Sequence, residues 1–170
     1  IALIGFTMEE LGGTEYLKIM FDFSEGKPPV LDRKNEQKVQ SFCWELIQKE
    51  LISSAHDCSE GGLAVAVAES CFSPGCETLG ASLMIESTLR NASLLFGETQ
   101  SRIIVSFSEE QINEIKDLAK DFSVDFSLIG IVGGSHLTIT INGKEVVKQE
   151  IELLKEIWKN SLGNYARQTT

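Results

Sequence analysis

The residues best suited to chemistry in this sequence stand in the run His56-Asp57-Cys58-Ser59-Glu60-Gly61-Gly62. Two adjacent glycines let a backbone turn tightly and a ligand approach closely, and free amides at the start of a following helix attract anions. Asp57 can hold a hard cation such as Mg²⁺ that bridges nucleotide phosphates, because carboxylate and phosphate oxygens both suit that ion. Ser59 can donate a hydrogen bond beside it. Equally, Asp57 and Ser59 can act only as helix caps, and Gly61 and Gly62 only as a turn. His56 beside an acid reads as a hydrogen-bonded structural residue, since spacing sets no Ser or Cys nucleophile against it.

A second polar concentration, Leu95-Phe96-Gly97-Glu98-Thr99-Gln100-Ser101-Arg102, falls between a short helix and a strand. Glu98, Thr99 and Gln100 form a possible ligand loop there. The plainer reading is a solvated connection in which Gly97 ends the helix and Arg102 pairs with a nearby acid. A third run, Leu11-Gly12-Gly13-Thr14-Glu15-Tyr16, contains glycines without a Lys, so it is not a phosphate loop of the Walker type. Cys71 and Cys76 flank a Pro-Gly loop, but no second pair or His cluster completes a tetrahedral zinc site. No activating base or cation can be assigned to any cysteine, which argues against a thiol nucleophile.

Composition narrows the classes. With 15 Lys and Arg against 25 Asp and Glu in 170 residues, the chain carries a net charge of -10. A nucleic-acid surface needs clustered basic residues that are nowhere concentrated here, whereas a nucleotide pocket needs only a few local donors and a metal. Apolar runs such as 79–85 and 126–132 are strand length, far short of a bilayer span, and no signal-peptide pattern is present. Four unevenly spread cysteines in a chain of this size suit a reducing cytosol, so a cytoplasmic location is expected. The opening Ile1-Ala2-Leu3-Ile4-Gly5-Phe6 lacks an initiator Met and a leading turn, and reads as a cut inside a longer polypeptide.

Periodicity supplies the elements that must position these groups. The opening run is strand-like, and the glycines at 12–13 turn it into a short segment over 16–20. Over 35–51 the positions Val39, Phe42, Cys43, Leu46 and Ile47 recur at helical spacing. Residues 53–58 form a short strand or turn, and 63–71 a buried Ala-rich helix. Strands are expected at 79–85, 103–107, 126–132 and 137–141, with a short helix at 90–96. Ser108 and Gln111 make a capping-box pattern ahead of a helix whose core face is Ile112, Ile115, Leu118 and Ala119. Asn142-Gly143 suits a hairpin turn that pairs 145–147 back before a final helix through Leu153, Leu154, Ile157 and Trp158. The fold class is therefore α+β: a two-layer sandwich, one mixed sheet with helices packed on one face, in a single domain over 1–170.

Taken in order, the three polar runs resemble landmarks of one family. It is the C-terminal domain shared by aminoimidazole ribonucleotide synthetase, phosphoribosylformylglycinamidine synthase, selenophosphate synthetase and thiamine monophosphate kinase. The Asp57-x-Ser59-x-Gly61-Gly62 run marks the superfamily, and the Leu11-Gly12-Gly13-Thr14-Glu15-Tyr16 opening resembles the second of two such domains in the formylglycinamidine synthase. The resemblance implies an ATP-dependent ligase that converts formylglycinamide ribonucleotide to formylglycinamidine ribonucleotide with ammonia from glutamine. It implies no catalytic residue in this copy. Its expected role is to complete an auxiliary ATP or ADP site, with Asp57 near Mg²⁺ or phosphate and Ser59, Gly61 and Gly62 beside it. Glu98, Thr99 and Gln100 match a substrate-contacting run of the first copy, and their role here stays open. Preceding domains of the same polypeptide, a glutaminase subunit and a small bridging subunit are the implied partners. Alone, the chain is expected to turn over nothing, and the surface around 11–16 and 57–62 to be an interdomain face. A domain of a sister enzyme and a non-catalytic binding or scaffold domain remain as other readings.

Overall fold

The computed structural model describes residues 1–72 and 78–168. In chain order the elements are β1 (Ala2–Ile4), α1 (Glu15–Phe21), α2 (Arg33–Gln48), β2 (Ser54–Asp57), α3 (Gly62–Cys71), β3 (Ala81–Ile85), α4 (Asn91–Phe96) and β4 (Ile103–Ser106). A short 3-10 turn (Glu109–Gln111) then leads into α5 (Ile112–Phe122), β5 (Phe126–Leu128), β6 (Gly130–Val132), β7 (His136–Ile141), β8 (Lys144–Glu150) and α6 (Ile151–Gln168). Cys76 of the Cys71/Cys76 pair lies outside the described residues.

The α+β class expected from sequence holds, with strands divided between two sheets. The first is antiparallel in the order β2-β4-β1-β5, and the second is mixed in the order β6-β3-β7-β8, with β3 and β7 parallel. The run read as one strand over 126–132 supplies one strand to each sheet. Between them Ile129 is buried, its amide donating to the Ile1 carbonyl (3.0 Å) and its carbonyl accepting from the Met84 amide (2.8 Å). One residue thus ties the sheets together at their junction.

Burial explains the sequence patterns. Ala2 and Ile4 of β1, with Val105 of β4, join the core beneath α2 and α5, while Leu3 and Ile104 point into a second core shared with α3, α4 and the mixed sheet. A strand buried on both sides reads as continuous apolar sequence, as these do. In β7, buried Leu137, Ile139 and Ile141 alternate with half-buried Thr138 and Thr140, the pattern of a one-sided strand.

The helices follow their caps. Asp32 accepts from the Lys34 and Asn35 amides (2.9 and 3.2 Å), starting α2, which buries Val39, Phe42, Cys43 and Leu46. Each such large side chain contributes about 1.5–3 kcal/mol over leaving it exposed. Ile47, read as part of that face, lies at its solvated margin. The Ser108 amide donates to the Gln111 side chain (3.0 Å) and the Ser108 side chain accepts from the Gln111 backbone, the expected capping box. Asn142 and Gly143 both have positive φ (49° and 76°), making the expected tight hairpin turn between β7 and β8. Among the described residues no helix is long and apolar enough to cross a membrane.

Candidate functional site

Asp57 ends the edge strand β2, opposite Ile103 of β4, and the Cys58 amide extends the pairing by donating to the Arg102 carbonyl (2.9 Å). The chain then turns through Ser59 to Gly62 into α3. Gly61 is the N-cap of α3, with no side-chain cap, and the Gly62 amide donates to the Ser59 carbonyl (3.1 Å). The side chains of Asp57 and Ser59 therefore do not cap this helix, contrary to the plainer reading of the sequence. Both are exposed, and the Ser59 hydroxyl donates to the Asp57 carboxylate.

Gly62 is required here twice over. Its φ is +66°, and a Cβ added to it would lie 2.5 Å from the Gly97 carbonyl oxygen, so residues 96–97 pack directly on its backbone. His56 contacts the Asp57 carbonyl (2.7 Å) and the Glu69 carboxylate (3.6 Å), the structural role its neighbours suggested. Cys58 is buried, and that burial pushes its thiol up to about 11, with Arg102 opposing and Asp57 adding to the rise. It is thus a neutral thiol near pH 7.

The loop at 97–102 is built on Arg102, which is only 2% exposed. Its guanidinium donates to the Thr99 carbonyl (2.8 Å), the Gly97 carbonyl (2.6 Å) and the Thr7 hydroxyl (3.0 Å). Sequence reasoning expected a solvated pairing with an acid. The correction has a physical reason: a planar fork of donors can satisfy buried carbonyls that a turning loop would otherwise orphan. Burial draws the guanidinium's pKa down, while Cys58, Glu10 and Glu98 act to raise it.

Glu98 and Thr99 turn inward. One oxygen, Oε1 of Glu98, accepts from both the Gly61 and the Glu15 amides (3.0 Å each), and buried Thr99 accepts from the Met8 amide (3.2 Å). The Gly61 amide that the sequence seemed to offer to an anion is therefore already engaged within the chain. Gln100 stays exposed, its amide donating to the Glu98 carbonyl (3.1 Å). Tyr16, the next residue after Glu15, stacks on Phe96 with centroids 5.0 Å apart and planes within 9°. All three sequence landmarks meet at this junction.

Beside it opens a cleft of about 650 Å³ whose lining includes Asp57, Ser59, Glu60, Glu98 and Gln100, together with Glu36, Gln40 and Ser101. Glu36, which sequence reasoning did not single out, accepts from the Ser101 hydroxyl (2.5 Å). Only an inspection of α2 against the loop could reveal it, for nothing in its local pattern marks it. The charges facing the cleft are carboxylates, and Arg102 beneath them spends its donors on backbone and Thr7. Such a wall suits a hard cation better than a bare phosphate. Among the described residues no group of three or more His, Cys, Asp or Glu is placed to hold a metal. A smaller pocket of about 190 Å³ between the sheets is lined by Val67, Cys71, Ala81 and Ile104 among others, with no charged side chain among the described lining residues.

Residues 1–142 match the family model described as AIR synthase related protein, C-terminal domain. The chain belongs to this family. Among curated relatives, it is 41% identical over 162 residues to the phosphoribosylformylglycinamidine synthase subunit PurL of Moorella thermoacetica and 40% identical over 162 residues to that of Alkaliphilus metalliredigens. Each alignment covers 95% of this chain and 22% of the relative, so the chain spans about a fifth of their length. Among solved structures, the fold is shared with Thermotoga maritima PurL complexed with FGAR (TM-score 0.72, 20% identity, 90% of this chain and 27% of that one). The same protein complexed with ATP gives a TM-score of 0.69 at 19% identity, covering 90% of this chain and 25% of that one. The family's shared fold accounts for the two sheets; the cleft's chemistry rests on the residues described above.

Proposed function

We propose that this chain is the C-terminal domain, over 1–170, of a cytoplasmic synthetase subunit of phosphoribosylformylglycinamidine synthase, and that its acidic cleft forms one wall of an auxiliary nucleotide site. The parent would be an ATP-dependent ligase of purine biosynthesis that converts formylglycinamide ribonucleotide to formylglycinamidine ribonucleotide with glutamine-derived ammonia. The relatives' names and their length support this reading. The partners would be the preceding domains of the same polypeptide, a glutaminase subunit and a small bridging subunit; PurLQS from Thermotoga maritima shares the fold at a TM-score of 0.63.

One observation carries the site. The side chains of Asp57 and Ser59 do not cap α3, yet stand exposed in a cleft whose lining also includes Arg102 with its buried polar bonds. Asp57 would hold Mg²⁺, with Ser59 beside it, and Gly61 and Gly62 would allow close backbone approach. A cation held there would offset the repulsion between the cleft's carboxylates and nucleotide phosphates. No residue of this chain is assigned to the chemical step.

The test is Asp57→Asn in the intact synthetase, measuring bound nucleotide after purification, thermal stability and turnover. Lower occupancy and a lower Tm are expected with turnover per folded molecule little changed, because a ligand that binds only the folded state stabilises it by mass action, about 2.7 kcal/mol at 100 times its Kd. Unchanged occupancy with turnover abolished would place Asp57 in the active site and defeat the auxiliary reading.

A further inference from the structure

The geometry points to Glu98 as a positioning residue that locks the Asp57–Gly62 turn to the start of α1, so that Asp57 and Ser59 are held in place on the cleft wall for the ligand. The inference rests on the proposed nucleotide site and assigns Glu98 a task different from ligand contact.

A single oxygen accepts two backbone amides that are distant in sequence: Gly61, at the N-cap of α3, and Glu15, the first residue of α1. Amides at helix starts lack intrahelical partners, and a carboxylate is the strongest acceptor they can find. One side chain therefore completes two helix starts at once. Its own direction is set from below, because Arg102 holds the carbonyls of Gly97 and Thr99 on either side of it and Thr99 in turn holds Met8. The Tyr16–Phe96 stack fixes the start of α1 to the segment that leads into Glu98. Gly62 lets the loop lie on the turn with no side chain between them. Asp57 and Ser59 sit within four residues of the Gly61 end of this lock, so a shift of the turn moves them relative to the rest of the cleft wall.

What the lock requires of residue 98 is reach and an acceptor oxygen. A residue contacting a cation would require its negative charge. Gln keeps the first and loses the second, which separates the two roles. In the intact synthetase, Glu98→Ala and Glu98→Gln are compared for affinity toward ATP with Mg²⁺ and for amide hydrogen exchange of peptides covering residues 13–17 and 60–63. Glu98→Ala is expected to weaken binding by roughly tenfold, the scale of losing charge-assisted hydrogen bonds, and to speed exchange in both segments together. Glu98→Gln is expected to restore most of both.

Gln as weak as Ala in binding, with exchange still protected, would make Glu98 a direct ligand and overturn the inference. Faster exchange in the Ala variant with unaltered affinity would leave only a structural role, and a change in one segment alone, or in neither, would show that the segments are not locked; either result overturns it too. Should Glu98→Ala fail to fold, Glu98→Asp replaces it, since it keeps the charge but is one methylene too short to serve both amides. A wild-type polypeptide that binds no ATP with Mg²⁺ would defeat the proposed site together with the affinity half of the inference, while the exchange data would still decide whether the lock exists.

Discussion

Residues 97–102 and helix α1 are neighbours, and they are held by opposite means. The loop has almost no apolar content of its own, yet Gly97, Thr99 and Arg102 are buried and their polar groups engaged within the chain. Helix α1 is rich in apolar residues, yet none of its residues is buried, and Ile19, Met20 and Phe21 stand largely exposed. Hydropathy alone would assign these two segments the other way round. Buried hydrogen bonds are costly to leave half made, so the loop is complete within this chain. Exposed apolar surface costs little locally, so α1 can leave its outer face to the rest of a longer polypeptide, as the proposed interdomain face requires.

The sharpest way to break this contrast is Arg102→Ala. Removing the guanidinium orphans two buried carbonyls and the Thr7 hydroxyl, and should destabilise the chain by about 3 kcal/mol or more in chemical denaturation. Arg102→Lys should recover little, since one ammonium cannot span the same three acceptors. A loss below about 1 kcal/mol would mean that water replaces the guanidinium and that the loop is not sealed.

A pair of glycine substitutions sharpens the comparison further. Gly62 and Gly13 share a positive φ (+66° and +72°), but a Cβ on Gly62 meets the Gly97 carbonyl at 2.5 Å whereas one on Gly13 meets nothing within 4 Å. Gly13→Ala should cost about 1 kcal/mol from backbone strain alone, and Gly62→Ala about 2–3 kcal/mol because the loop must also move. Equal losses in thermal or denaturant midpoints would show that the packing of the loop on the turn contributes nothing.

The smallest effect is expected on α1. Ile19 is 75% exposed, so Ile19→Asp should change the stability of the 170-residue chain by no more than about 0.5 kcal/mol. Made in the longer polypeptide, the same substitution should be clearly more destabilising, because a carboxylate would then be buried against a neighbouring domain. Identical shifts in both settings would mean that this face stays in solvent.

The elements near these sites were legible to different degrees. Helix α2 and the helix after Ser108 could be read because their caps and apolar repeats lie within a few residues of one another. The polar runs at 11–16, 56–62 and 96–102 were visible as candidates for the same reason. The inward turn of Glu98 was not, since its two partners lie 83 and 37 residues away along the chain. The burial of Arg102 was equally hidden: its acceptors are carbonyls of its own loop and a threonine hydroxyl, groups every sequence contains.

By itself the sequence determined the α+β class, most element positions, the acidic net charge and the residue types gathered at the three landmarks, because hydrophobic periodicity, capping and net charge are local or additive properties. The tertiary structure alone decided that the run at 126–132 divides between two sheets, that Asp57 and Ser59 are released from capping, and that Glu98 joins two helix starts. Each of those outcomes depends on which distant backbone groups are left without partners once the chain is packed, and a buried polar group takes whichever partner the fold brings within hydrogen-bonding distance.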